Sequence, residues 1–167
     1  ELYCAGHLLE SAIEHHKATG NSKFFDAMER YVDHIITKFG REEGKMRGYP
    51  GHQEIELALV KAYEHTNDKK FLDLATYFID ERGTHDKPED HYYVKEKKKL
   101  MEKEGDIDVS KLPSNMRDFM AFDADFMGKT FRDLHYWQAH ERPVDQKTAE
   151  GHSVRALYMF TAMADLA

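Results

Sequence analysis

The sequence predicts an all-α fold in which helical hairpins pack as a two-layer array. Three observations predict it. Apolar residues recur with the helical period along most of the chain, and no window alternates as a strand would. Helices apolar nearly all round alternate with helices apolar on one face, as inner and outer layers should. A segment also recurs: Thr19-Gly20-Asn21-Ser22-Lys23-Phe24-Phe25-Asp26 is echoed 47 residues later by Thr66-Asn67-Asp68-Lys69-Lys70-Phe71-Leu72-Asp73.

The first helix carries Leu8, Leu9, Ala12, Ile13 and His16 on one stripe and stops near Gly20. The second presents Phe24, Phe25, Met28, Tyr31, Val32, Ile35, Ile36 and Phe39, with Asn21 or Ser22 as N-cap and Gly40 as its end. The third is expected from about His52 to His65. Ile55, Leu57, Ala58, Leu59, Val60, Ala62 and Tyr63 leave it little polar surface, so it should be buried. The fourth has Phe71, Leu72, Ala75, Phe78 and Ile79 on one stripe and ends at Gly83. The last runs from about Gly151 to Asp165. Val154, Ala156, Leu157, Tyr158, Met159, Phe160 and Ala162 make it a second broadly apolar helix.

Between the fourth and last helices lies a long insertion, residues 84 to 134. Its first half reads as a charged helix over 89 to 104. Its second half, with Met116, Phe119, Met120, Phe122, Phe126, Met127 and Phe131, is apolar enough to pack on something. Insertions of this length serve as lids, site walls, surface decorations or oligomer contacts.

Composition excludes several function classes. The net charge is −7, and the one basic run, Lys95 to Lys103, is interrupted by Glu96 and Glu102, so no nucleic-acid surface is expected. No apolar run reaches membrane-spanning length. Cys4 is the single cysteine, which rules out an internal disulfide and a cysteine-based zinc site within this chain. It is expected to be a buried packing thiol. The chain opens on Glu1-Leu2-Tyr3-Cys4 without a start methionine and reads as an excerpt, so the compartment stays open: cytoplasmic or periplasmic if the source is bacterial.

The chemistry-bearing signal is three Gly-His pairs, Gly6-His7, Gly51-His52 and Gly151-His152. The first two are 45 residues apart, close to the repeat length, and each pair is expected to open a buried helix. Equivalent helix starts in a closed array converge at one end, so three imidazoles would ring one cavity mouth. Neutral imidazole both donates and accepts hydrogen bonds, which suits sugar hydroxyls. A three-histidine zinc site is the weaker reading, because the ligands would come from separate repeats. Glu54 and Glu56 could each orient a histidine, although a role at the helix N-terminus is the simpler reading. In Tyr136-Trp137-Gln138-Ala139-His140, aromatic and amide groups stand side by side as they do in sugar sites, which adds Gln138 and His140 as candidates.

Several of these stretches together resemble glycoside hydrolase family 127, whose best-known members are β-L-arabinofuranosidases. They are Glu1 to Leu8, Gly48 to Val60, Tyr136 to Val144 and Gly151 to Tyr158. The resemblance covers nearly the whole chain except about residues 84 to 134. It implies a single partial (α/α)6 toroid domain over 1–167, covering about half of the barrel, with the insertion inside it. It also implies a retaining glycosidase acting on terminal β-L-arabinofuranosides or related furanosides. In the family the nucleophile is a cysteine thiolate activated by zinc that cysteines and a glutamate hold, and a glutamate is the acid/base. His7, His52 and His152 match family motif histidines that line the subsite for the terminal arabinofuranose. No catalytic residue and no zinc ligand is expected in this chain, because Cys4 matches a non-catalytic position and the acid/base is expected downstream of Ala167. The expected partner is a small carbohydrate, with a homo-oligomer left open. Two other readings remain: a non-catalytic carbohydrate-binding scaffold, and another (α/α)6 enzyme such as a sugar epimerase or lyase.

Overall fold

A computed structural model describes residues 2–85 and 133–167. The charged helix read at 89 to 104 and the apolar stretch from Met116 to Phe131 lie outside the described residues, as does nearly all of the insertion. The described residues form five α-helices: α1 Leu2–Thr19, α2 Lys23–Lys38, α3 Ile55–Thr66, α4 Lys69–Glu81 and α5 Ser153–Leu166. None of them forms a strand; Phe39 and Met46 make an isolated bridge. No described helix is long and apolar enough to cross a membrane.

The packing is two-layered. α3 is central, in contact with α1, α4 and α5, while α2 packs on α1. Its position explains its composition: Ile55, Leu57, Ala58, Leu59, Val60 and Ala62 are all buried because neighbours surround it. α2 and α4 are amphipathic, burying Phe25, Met28, Val32 and Ile35 on one, and Phe71, Leu74, Ala75, Phe78 and Ile79 on the other. They meet through ring contacts, Phe25 with Phe71 at 6.3 Å and Phe39 with Phe78 at 5.6 Å, and through Lys70, whose ammonium bridges Glu29 and Asp33. α5 departs from the all-round burial expected of it. Ala156, Met159 and Ala162 are buried against α3, while Val154 and Leu157 are 48% and 64% exposed on the face turned away from it.

The echoed segments use the same hydrogen bonds. Thr19 Oγ1 donates to His15 O and accepts from Asn21 N, and Asn21 Oδ1 accepts from Lys23 N. In the second segment Thr66 Oγ1 donates to Ala62 O and accepts from Asp68 N, and Asp68 Oδ1 accepts from Lys70 N. Between them sits a left-handed residue, Gly20 at φ 71° and Asn67 at φ 56°, the two residue types that tolerate this backbone. Asn21, not Ser22, supplies the side-chain acceptor at the start of α2.

Three expectations need correction. His7 lies within α1, five residues beyond its start at Leu2, and does not open a helix. His52 precedes α3, because Gln53 and Glu54 lie outside the helix, which begins only at Ile55. Among the three, His152 alone stands at a helix entry, as the N-cap residue of α5. Gly6 is accordingly not a turn residue: a Cβ there would fall 1.5 Å from Glu54 Oε2, so glycine admits a neighbouring side chain against the helix backbone. Cys4 is exposed, on the same stripe of α1 as the exposed Leu8, Ser11 and His15 and opposite the buried Gly6 and Ile13.

Arg82 ties the loops together. It is fully buried, donates to Pro50 O at 2.6 Å and to Trp137 O at 3.0 Å, pairs with Glu56 at 3.5 Å and lies over the Tyr49 ring at 4.4 Å. One guanidinium thus joins the segment before α3, the end of α4 and the loop before α5. Its planar fork of donors suits bonds in several directions.

Candidate functional site

The three motif histidines come together. Tyr3 and His7 are one turn apart on α1, and their rings meet edge-on at 4.6 Å. Tyr3 also contacts the His52 ring at 4.4 Å. His52 in turn lies 6.0 Å from His152 and 5.9 Å from Tyr158 of α5, and Tyr158 is 6.1 Å from His7. His152 rests against Tyr136 at 5.6 Å. The rings form one continuous group at the junction of α1, α5 and the segment entering α3. His7, His52 and His152 are each partly exposed within it.

Local bonds orient the histidines. His52 Nδ1 is 2.9 Å from Gln53 O, and a carbonyl only accepts, so Nδ1 carries the hydrogen and Nε2 presents its lone pair. Burial, assisted by the nearby Arg155 cation, holds the His52 imidazole below the usual histidine range and favours the neutral ring. His7 Nδ1 is 3.2 Å from Glu54 Oε1 and 3.7 Å from Glu10 Oε2. Glu54 is fully buried, and burial together with the neighbouring Glu10 pushes its carboxyl up to about 9. Burial also works against charge on Glu10, but the bonds from Lys61 and Glu54 outweigh it and hold that carboxyl below the ordinary carboxylate range. Glu56 has a different role: it pairs with Arg82 and accepts from the Glu54 backbone N–H at 3.0 Å.

Gln138 and His140 are not part of the ring group. Gln138 is fully buried in a left-handed conformation at φ 53°. Its amide nitrogen donates to Tyr136 O, Glu150 O and His152 O, and its Oε1 accepts from Gln53 at 3.0 Å. It therefore fastens the strip before α3 to the loop that carries His152. Trp137 beside it is buried under the Arg155 guanidinium at 4.3 Å. His140 stacks on His135 with centroids 4.1 Å apart, and the His135 Nδ1 bonds Glu150.

Among the described residues, two groups bring possible metal donors within 4.8 Å of one another, His135 with His140 and Glu150, and His7 with Glu10 and Glu54. Both are nitrogen–oxygen sets, and in the second the Lys61 ammonium already binds Glu10. Neither fits a zinc centre held by cysteines, and the single thiol, Cys4, belongs to neither group.

Sequence reasoning missed Tyr3, Glu10, Lys61 and Arg155. Tyr3 and Glu10 stand at i−4 and i+3 from His7, so helical spacing could have found them. Lys61 reaches Glu10 across two helices, and no local pattern announces that contact.

The whole chain, residues 1–167, matches the family model described as the β-L-arabinofuranosidase GH127 catalytic domain. A non-reducing end β-L-arabinofuranosidase of Bifidobacterium longum subsp. longum is 37% identical over 164 residues, which is 98% of this chain and 21% of that protein. The crystal structure of Ara127N-Se, a GH127 β-L-arabinofuranosidase from Geobacillus stearothermophilus T6, superposes with a TM-score of 0.74 at 44% identity, covering 100% of this chain and 22% of that one. A second solved GH127 β-arabinofuranosidase gives a TM-score of 0.69 at 32% identity, covering 99% of this chain and 19% of that chain. The chain thus spans about a fifth of the length of the relatives it matches.

Proposed function

Since the chain belongs to the GH127 β-L-arabinofuranosidase catalytic-domain family, we propose that it forms the sugar-binding rim of a retaining glycosidase that cleaves terminal β-L-arabinofuranosides. Its all-α described part is a fragment of that family's α/α barrel. The observation that carries the reading is the continuous group of His7, His52 and His152 with Tyr3 and Tyr158.

Such a group suits a furanose. Aromatic edges supply apolar contact for the ring carbons, and imidazole nitrogens supply directional partners for the hydroxyls. His52 offers an acceptor at Nε2 by the tautomer its backbone bond selects. Gln138 serves the site by holding the His152 loop in place, its amide being engaged on four sides. His140 belongs to the proposal at the edge of the same loop, stacked on His135.

The reacting groups lie outside these residues in this reading. The cysteine nucleophile, the acid/base glutamate and the zinc ligands belong to other parts of the full protein. No catalytic step is assigned to this chain's residues.

The test is kinetic. His152→Ala in the complete enzyme should raise KM for an arabinofuranoside about tenfold or more, the loss expected for one or two directional bonds to substrate. Unchanged KM and kcat would exclude His152 from the substrate site.

A further inference from the structure

The carboxyl of Glu54 is buried against the α1 backbone at Gly6. It is fully enclosed, neither of its oxygens has a hydrogen bond of good geometry, and the nearest donor, His7 Nδ1, stands 3.2 Å from Oε1. An uncompensated buried carboxylate is strongly unfavourable. The groups facing it come from three helices: His7 and Glu10 from α1, Glu56 and Lys61 from α3, and Tyr158 from α5. Lys61 places its ammonium on Glu10, whose side chain is 25% exposed, and Glu56 is paired with Arg82. Of the two adjacent carboxyls, the partly exposed and cation-paired Glu10 keeps the charge, and the enclosed one must hold a proton.

We propose that Glu54 is a protonated positioning residue for His7: its hydroxyl donates to Glu10, and its carbonyl oxygen accepts from His7 Nδ1–H, which leaves His7 Nε2 to accept a sugar hydroxyl. The inference rests on the reading of His7 as a sugar contact. The donor and acceptor atoms of His7, Glu10 and Glu54 lie within 4.8 Å of one another, and the proposed protonation gives each a partner. Lys61 donates to Glu10, Glu10 accepts from Glu54, Glu54 accepts from His7, and His7 accepts from substrate. The Nδ1-to-Oε1 separation of 3.2 Å places the ring within reach. Gly6 makes the arrangement feasible, because any Cβ there would occupy the carboxyl's position. His7 and His52 then share one tautomer, and both imidazoles, joined through Tyr3 and Tyr158, present an acceptor.

The assignment separates two variants in the complete enzyme. Glutamine reproduces a protonated glutamate, with a donor and a carbonyl oxygen at the same positions, whereas leucine has neither. Glu54→Leu should raise KM about tenfold or more, while Glu54→Gln should stay within about threefold of the parent enzyme. Independently of sugar binding, NMR of histidine labelled with 13C and 15N should show His7 as the Nδ1–H tautomer in the parent and in Glu54→Gln, the signal being assigned by its loss in His7→Ala. Glutamine losing as much as leucine, or a His7 that is Nε2–H or doubly protonated, overturns the proposal. Should Glu54→Leu fail to fold, the tautomer in the parent and in Glu54→Gln decides. An unchanged KM in His7→Ala would instead overturn the sugar-contact reading, and the tautomer would still decide the role of Glu54.

Discussion

Gly6 and Glu54 are complementary. The glycine lies inside α1, and the space its missing side chain leaves is filled by the Glu54 carboxyl from the segment that enters α3. This packing brings the carboxyl 3.2 Å from the next residue's imidazole, His7. Gly6→Ala must therefore move Glu54 or separate the helices. A loss of about 1 to 3 kcal/mol is expected from such overpacking, read by chemical denaturation, with a rise in KM for arabinofuranosides. A fully stable Gly6→Ala enzyme with parental KM would contradict the packing.

Arg82 should be the costliest single cation to remove. It is the partner of buried Glu56 and bonds two backbone carbonyls. Arg82→Met would leave a carboxylate enclosed without compensation, at a cost of about 3 to 5 kcal/mol. Glu56→Gln in the same chain should recover part of that loss, because the orphaned charge is then gone. Equal destabilisation of the single and double variants would show that the pairing is energetically idle.

The turn chemistry shared by Asn21 and Asp68 predicts parallel effects. Each side chain accepts the backbone N–H two residues on at the start of its helix. Asn21→Ala and Asp68→Ala should each lower stability by about 0.5 to 2 kcal/mol, measurable as a drop in Tm. Neither should alter KM, since both lie in turns remote in sequence from the histidine motifs.

His52 predicts a pH dependence with a definite sign. Burial and the Arg155 cation hold its imidazole below the ordinary value of 6.5, so the ring stays neutral at neutral pH. In the unfolded chain it protonates more readily. Stability from this group is therefore complete above pH 6.5 and falls as pH drops through the unfolded and then the folded pKa. Protonation also converts the Nε2 acceptor into a donor, so substrate affinity should weaken over the same acid range. A His52 NMR titration midpoint above 6.5 would contradict both statements.

Much of the fold was legible in local patterns. The helical period located five elements, and the echo of Thr19–Asp26 in Thr66–Asp73 reflects turns whose bonds span only a few residues. The sequence resemblance also picked out His7, His52 and His152, and the structure groups their rings. The helix start differs from the expected His52 because a polar strip, Gln53-Glu54, is buried outside the helix, and burial of polar groups leaves no periodic trace. Cys4 was misplaced for a related reason: apolar character does not say which stripe of a helix meets a neighbour.

What the sequence by itself determined, then, was the helical grammar, the turn chemistry and the histidine motifs, all of which depend on residues near one another along the chain. The tertiary structure alone decided that Glu54 fills the gap at Gly6, that Lys61 reaches Glu10, and that Gln138 accepts from Gln53 of the strip before α3. Those relationships join residues from separate elements, and their energies arise only when packing excludes water from between them.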